Sequence, residues 1–296
     1  MTPPSPEFYR DQVLSLTRLP TLPAIAAEIL KITRDDRMSV RQILPIMEKD
    51  PPLALRVMKT ANSAYYAVRE KVESLGRAVV VIGMQELSYI ALSFSVLKIL
   101  NPDGEAGPIN WTKFWEHSVA CGHVARVLNK RWRIVNTSSL YAMGLMHDIG
   151  KLILFRLDPK LFVQAFALVK SRQLTSIDAE RETFGITHQD VGGWIAEKWE
   201  LPDSLRLAMA SHHTPETIEH PDLGGAVSLI RVADILCNYR AFRFGTAFLN
   251  EIPEDDGAIR YFRSRLGEES DLDSLALIID EEIDNIKELA KLMEKR

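Results

Sequence analysis

A chain of 296 residues, 46% of them hydrophobic, has the material for one large domain or two medium ones with a substantial core. A formal net charge of −4, from 36 basic and 40 acidic residues, excludes DNA or membrane-surface binding driven by bulk electrostatics. The first ten residues lack a basic segment leading into an apolar one, and the most apolar stretch, Tyr89–Leu100, is short and broken by Ser93, Ser95 and Lys98. Neither a secretory signal nor a membrane span is predicted, and the cytoplasm is the expected compartment.

Apolar residues recur with the helical period almost throughout, so the fold class read from the sequence is all-α. Leu22, Ile25, Ile29 and Ile32 form the first stripe. Ser39 and Gln42 form a capping box ahead of Val40, Ile43, Leu44 and Met47. Asp50 before Pro51 reads as an N-cap with proline at the first helical position, and Ala54, Val57, Met58 and Ala61 continue that helix. Leu75, Ala78, Val79 and Ile82 form another stripe ending at Gly83. The β-branched run 79–82 has the composition of a buried strand, but its shortness and helical flanks favour helix. The turn-rich segment NPDGEAGPIN, Asn101–Asn110, is the expected boundary between two helical lobes, and a second break runs from about Asn250 to Asp256. The predicted units are therefore an N-terminal lobe over 1–105, a second lobe over 106–249 and a helical extension over 250–296. In the extension, Leu275, Ile279, Ile283, Ile286 and Met293 make a stripe whose opposite, carboxylate-rich face is expected to be solvated. Cys121 and Cys237 both fall in apolar helical patterns and are expected to be buried free thiols.

The second lobe places ionisable residues where its helices should be buried. His117 shares a face with Phe114, Cys121 and Val124, and His147 ends the stripe Leu140, Met143, Gly144 with Asp148 beside it. His188 opens a helix behind the N-cap Thr187. His212 ends the stripe Leu205, Ala208, Met209, with His213 next, and Asp234 lies inside an apolar helix. One buried histidine is ordinarily a core residue bonded to a carbonyl. Several imidazoles and two carboxylates on successive inward faces are costly unless paired or bound to metal. This nitrogen and oxygen set, read as lacking thiolates, suits iron or manganese, with zinc as the alternative. Adjacent residues on a helix diverge by about 100°, so His147 and Asp148 can face two sides of one ion or two ions bridged by Asp148. His117 is expected within the cavity or at its edge. Lys151 is placed to pair with Asp148 or, in an enzyme, to contact phosphate, with Arg231 adding charge nearby. His123 is expected at the surface, and His220, in a loop, is expected to take no part.

These residues resemble the HDOD family, the HD-related output domains of bacterial signalling proteins. The resemblance runs through LPTLP (19–23), KTANSAYY (59–66), SLGRAVVVIGMQEL (74–87), FWEHSVACG (114–122), GLMHDIGKLIL (144–154), ETFGITHQDVGGWIAEKWELP (182–202), ASHHTP (210–215) and RVADIL (231–236), one unit over about 15–245. It implies an HD-like helical core with an added N-terminal helical lobe, and a role in signal transduction. Many members have lost the superfamily metal ligands, and the family is not generally regarded as catalytic. This chain retains His117, His147, Asp148, His188, His212, His213 and Asp234, an order that resembles the ligands of HD-GYP cyclic dinucleotide phosphodiesterases. It departs from those enzymes after the double histidine, where TPETIEHP (214–221) stands in place of Gly-Tyr-Pro, and at Lys113, where some relatives place a ligand glutamate.

The leading expectation is a regulatory output module that docks to other signalling proteins and carries a divalent metal, as one ion or two. The alternatives are a metal-dependent phosphohydrolase acting on a nucleotide or cyclic nucleotide, with Asp148 and Lys151 in the chemistry, and a helical adaptor without metal. The N-terminal lobe is expected to pack and interact, with no active site.

Overall fold

The computed structural model describes residues 4–15, 24–33, 39–63, 66, 68–100, 109–240, 242–244, 255–266 and 272–294. Leu22, the 19–23 signature, residues 101–108 of the first break and 250–254 of the second lie outside them. Among the described residues the regular structure is helical, as the sequence periodicity requires. The N-terminal half contains α1 (Pro6–Ser15), α2 (Ala24–Thr33), α3 (Val40–Glu48), α4 (Pro51–Ala61), α5 (Leu75–Ile82) and α6 (Met84–Leu100). The run 79–82 is helical. Gly83, at φ +89°, is a conformation other residues resist, and it turns the chain by 115° between α5 and α6. The local signals operate as read: Gln42 Oε1 accepts from Ser39 N at 2.9 Å, and Asp50 Oδ1 accepts from Leu53 N at 3.1 Å.

The second half contains α7 (Trp111–Trp132), α8 (Leu140–Met146), α9 (Ile149–Leu157), α10 (Pro159–Arg172), α11 (Ser176–Phe184), α12 (His188–Lys198), α13 (Asp203–Ser211) and α14 (Pro221–Tyr239), followed by α15 (Gly257–Leu266) and α16 (Leu272–Glu294). Helix α7 is the central post, packed by α8, α14 and α16. That wrapping overturns the surface placement of His123. It has no exposed surface and meets Glu282 Oε2 of α16 at 2.8 Å. A stripe argument grants a helix one solvated face, and a helix enclosed by three neighbours lacks one. The same contact corrects the reading of the α16 carboxylates as uniformly solvated. His220 caps α14, with its Nδ1 3.5 Å from Leu223 N.

Two close approaches set the relative positions of the site-bearing helices. A Cβ on Gly144 would lie 2.3 Å from Gly122 backbone atoms, and one on Gly150 would lie 1.9 Å from the His188 carbonyl oxygen. Glycine at 144 lets α8 cross α7 at backbone contact, and glycine at 150 lets α9 touch the start of α12. Helix α1 packs on α12, with the Leu14 carbonyl accepting from Lys198, and its Tyr9 lies edge-on to Phe184 at the end of α11. Helix α6 packs on α8, and the buried pair Arg126–Glu86, at 3.2 Å, ties α7 to α6. Among the described residues no single helix is long and apolar enough to cross a membrane.

Candidate metal centre

His147 and Asp148 sit between helices rather than within one. His147 closes α8, and Asp148, at φ −96° and ψ 7°, opens α9. That bridge conformation is sparsely populated and turns the chain so that both side chains enter the same interior. His117 comes from the middle of α7, and His188 is the first residue of α12, fixed by the Thr187–Asp190 capping box. His212 and His213 follow α13, and Asp234 projects from α14.

The structure brings all of these together, and they are enclosed. His117, His147, His188 and His212 have no exposed surface, and Asp148 is 1% exposed. His117 lies inside the cluster rather than at its edge, while the partly exposed His213 forms the margin, its ring centroid 4.3 Å from that of His212.

The hydrogen bonds fix the tautomers. Nδ1 of His117 bonds the Phe242 carbonyl at 2.7 Å, Nδ1 of His147 the Gly144 carbonyl at 2.7 Å, and Nδ1 of His212 the Ala208 carbonyl at 2.8 Å. A carbonyl only accepts, so each Nδ1 carries a proton, and wherever the ring is neutral its Nε2 presents a lone pair. In His188 the Nδ1 faces Glu180 Oε2 at 2.7 Å, and that oxygen also accepts from the His188 backbone N. The Nε2 nitrogens of His117, His147, His188 and His212 point inward at Asp148. Its Oδ2 stands 3.6 Å from His117 Nε2 and 3.5 Å from His147 Nε2, and its Oδ1 stands 3.3 Å from His188 Nε2 and 3.6 Å from His212 Nε2. Each carboxylate oxygen thus faces a different pair of imidazoles.

Several inward atoms are unspent. His147 Nε2, Asp148 Oδ1 and His213 Nε2 are buried without a hydrogen-bond partner. Nε2 of His188 and of His212 are 3.3 Å apart, and two lone pairs cannot bond each other. A divalent cation among them answers every one of these atoms, and donor atoms of His147, Asp148 and His212 lie within 4.8 Å of one another, as do those of His188, His212 and His213. The protonation states suit it. Burial pushes His147 below the ordinary imidazole range, and burial with neighbouring imidazoles pushes His212 and His213 well below it. Burial alone would raise the Asp148 carboxyl, but Lys151 and the surrounding histidines outweigh it and hold it well below the usual range. Burial alone would lower His117, but Cys121 and Asp234 outweigh it and raise it well above the ordinary range, so an ion there would displace its proton, whereas neutral His147, His212 and His213 beside ionised carboxylates are already in metal-binding form.

Lys151 Nζ lies 2.6 Å from Asp148 Oδ2 and is 3% exposed, so its ammonium is held by the aspartate. Arg231 is bonded to Asp234 Oδ2 at 2.8 Å and to Asp256 Oδ2 at 3.0 Å, and Asn238 donates to Asp234 Oδ1 at 2.6 Å. Sequence reasoning missed Glu180, Asn238 and Asp256 as orienting groups. Glu180 had a signal, because it falls on the stripe Ile177, Glu180, Phe184, where a carboxylate is out of place. Cys121 Sγ lies 3.5 Å from His117 Nε2, so a sulfur lies beside the predicted nitrogen and oxygen donors.

Comparison with known proteins follows the same lines. The family model of the HDOD domain matches residues 19–215. A crystal structure of an HDOD domain protein of unknown function from Geobacter sulfurreducens aligns at 24% identity over 97% of this chain and 99% of that one, with a TM-score of 0.77. A candidate phosphohydrolase from Shewanella amazonensis aligns at 22% identity over 96% and 97% of the two chains, with a TM-score of 0.70. A candidate signal transduction protein from Marinobacter aquaeolei aligns at 21% identity over 96% of this chain and 61% of that one, with a TM-score of 0.69. The chain spans 37% of the length of the curated relative it matches, an uncharacterized Treponema pallidum protein 18% identical over 195 residues.

Proposed function

The chain belongs to the HDOD domain family, and from that premise we propose that it is a regulatory signal-transduction module whose folded state is organised by a divalent metal. The observation that carries this reading is the enclosure of the cluster. The atoms that would meet an ion are turned inward and covered, and Lys151, the group best placed to greet a phosphate, is spent on Asp148. A bound metal would offset the cost of crowding these imidazoles and carboxylates, and so would couple its own presence to the stability of the second half. The signal would pass to another signalling protein through a surface elsewhere on the helices, in the cytoplasm.

His117, His147 and Asp234 would hold one ion, His188, His212 and His213 a second, with Asp148 bridging. The separate facing of the two Asp148 oxygens supports that division. The bound group would supply Lewis acidity, and the second-layer carbonyls and Glu180 would hold the rings in register for it.

A second reading is favoured by that same bridging geometry: hydrolysis of a nucleotide or cyclic nucleotide phosphoester. One experiment separates the two. The purified chain is loaded with iron, manganese or zinc, its metal content is measured, and it is offered cyclic mono- and dinucleotides. The module reading expects retained metal, a higher melting temperature with metal than without, and negligible hydrolysis. Turnover on the order of 1 per second or faster would promote the hydrolase. Absence of metal retention would leave the helical adaptor.

A further inference from the structure

His117 and Cys121 are four residues apart on α7 and therefore lie one above the other on the same face. Both are fully buried. The Cys121 sulfur lies 3.5 Å from His117 Nε2, and that same nitrogen lies 3.2 Å from Asp234 Oδ1. Donor atoms of His117, Cys121, His147 and Asp234 all lie within 4.8 Å of one another. In a tetrahedral site with bonds of about 2.0–2.1 Å to nitrogen and oxygen and about 2.3 Å to sulfur, neighbouring donors stand about 3.3–3.6 Å apart. The two close distances around His117 Nε2 have the length of those edges, and the same sulfur lies 3.9 Å from His117 Nδ1, so it flanks the ring and joint ligation requires a turn of the ring or of the thiol. The fourth member, His147, supplies an independent sign of a ligand, because its Nε2 is buried and unpartnered.

We propose that Cys121 is a metal ligand, joining His117, His147 and Asp234 at the position that the Asp148 bridge also reaches. The inference rests on the metal-bound reading of the cluster and adds to it that the two positions differ in chemistry. Besides the Asp148 carboxylate shared between them, the position formed by His188, His212 and His213 offers imidazole alone, whereas this one carries Asp234 and a thiolate. A thiolate shifts preference toward softer ions, so this position selects zinc or iron(II) over manganese. Burial and the neighbouring Cys237 of α14 push the Cys121 thiol well above its ordinary range, so binding the ion is what would release its proton. The other explanation of the 3.5 Å contact is a thiol that merely donates a hydrogen bond to His117.

Cobalt(II) titrated into the full, chelator-stripped chain distinguishes them. Ligation expects a strong thiolate-to-cobalt charge-transfer band in the near ultraviolet, present in the wild type and in Cys237→Ser and lost in Cys121→Ser. It also expects the preference for cadmium over manganese to fall on the order of tenfold in Cys121→Ser. Zinc-edge X-ray absorption of the zinc-loaded wild type needs no variant and should show a sulfur neighbour at about 2.3 Å. Cobalt retained without the band, and zinc without the sulfur neighbour, would overturn the thiolate while leaving the metal centre standing. A band lost in Cys237→Ser but kept in Cys121→Ser would overturn the assignment to Cys121. Failure to bind cobalt or zinc at all would overturn the metal-bound reading together with this one.

Discussion

Both halves of the molecule bury hydroxyls that bond their own helix, as Ser118 and Thr183 do in the second half, but among the described residues the second half alone also gathers imidazoles and carboxylates at one point. In α4 and α6 the hydroxyls of Thr60, Ser88, Ser93 and Ser95 each donate to the carbonyl four residues earlier on their own helix. Such groups close on themselves and leave a surface that packs like alanine. In α7–α14 the outer nitrogens are satisfied while the inner ones are directed at one another with lone pairs unspent. Buried polarity that is satisfied locally belongs to packing; buried polarity with converging unspent atoms belongs to a ligand.

The largest effect that tests this contrast comes from Asp148→Ala. It removes the carboxylate that faces both imidazole pairs and also strands the buried Lys151 ammonium, so a loss of about 3–5 kcal/mol is expected even without metal. Adding Lys151→Met should recover much of that loss in denaturant melts without restoring metal retention. In the N-terminal core, Ile43→Ala should cost about 2–5 kcal/mol by leaving a cavity. That cost should be the same with metal and with chelator, and a metal-dependent difference would erase the distinction between the halves. Gly150→Ala pushes against the His188 carbonyl, for which about 1–3 kcal/mol is expected, and equilibrium dialysis should show weakened metal retention because α12 carries His188. Glu180→Gln keeps the shape but weakens the grip on the His188 ring, and should lower metal affinity by about 10–100-fold.

The smallest effect concerns pH at the α16 contact. The hydrogen bond from His123 holds the Glu282 carboxyl below its ordinary value of 4.5. Because the folded value is the lower one, this contact stabilises the fold above about 4.5 and loses that contribution as pH falls through the folded value. Glu282→Gln should therefore flatten the acid limb of stability versus pH while leaving metal retention unchanged.

The fold and the site were legible to different depths. Helical period and capping residues marked α3, α4 and α5, because those signals are local. The histidines and aspartates were visible as polar residues on apolar stripes. Their sequel was less so: Glu180 reaches His188 across the loop between α11 and α12, and Asp256 reaches Arg231 from beyond the second break. Neither partnership has a fixed spacing to read. Cys121 passed as core filling because a thiol satisfies the apolar pattern, and only its neighbour at 3.5 Å gives it another meaning. His123 was misplaced because the face it occupies is covered by a helix some 159 residues later in the chain.

Arg126 has a mechanical meaning. Its guanidinium is 6% exposed, paired with Glu86 of α6 and set against the rings of Tyr66 and Tyr141. Grease between two blocks permits sliding; a charge pair in a dry seam does not, since a shift of a few ångströms leaves an uncompensated ion on each side. The seam therefore holds α6 and α7 in one register, and it does so through a single pair of side chains rather than through the breadth of its apolar contact.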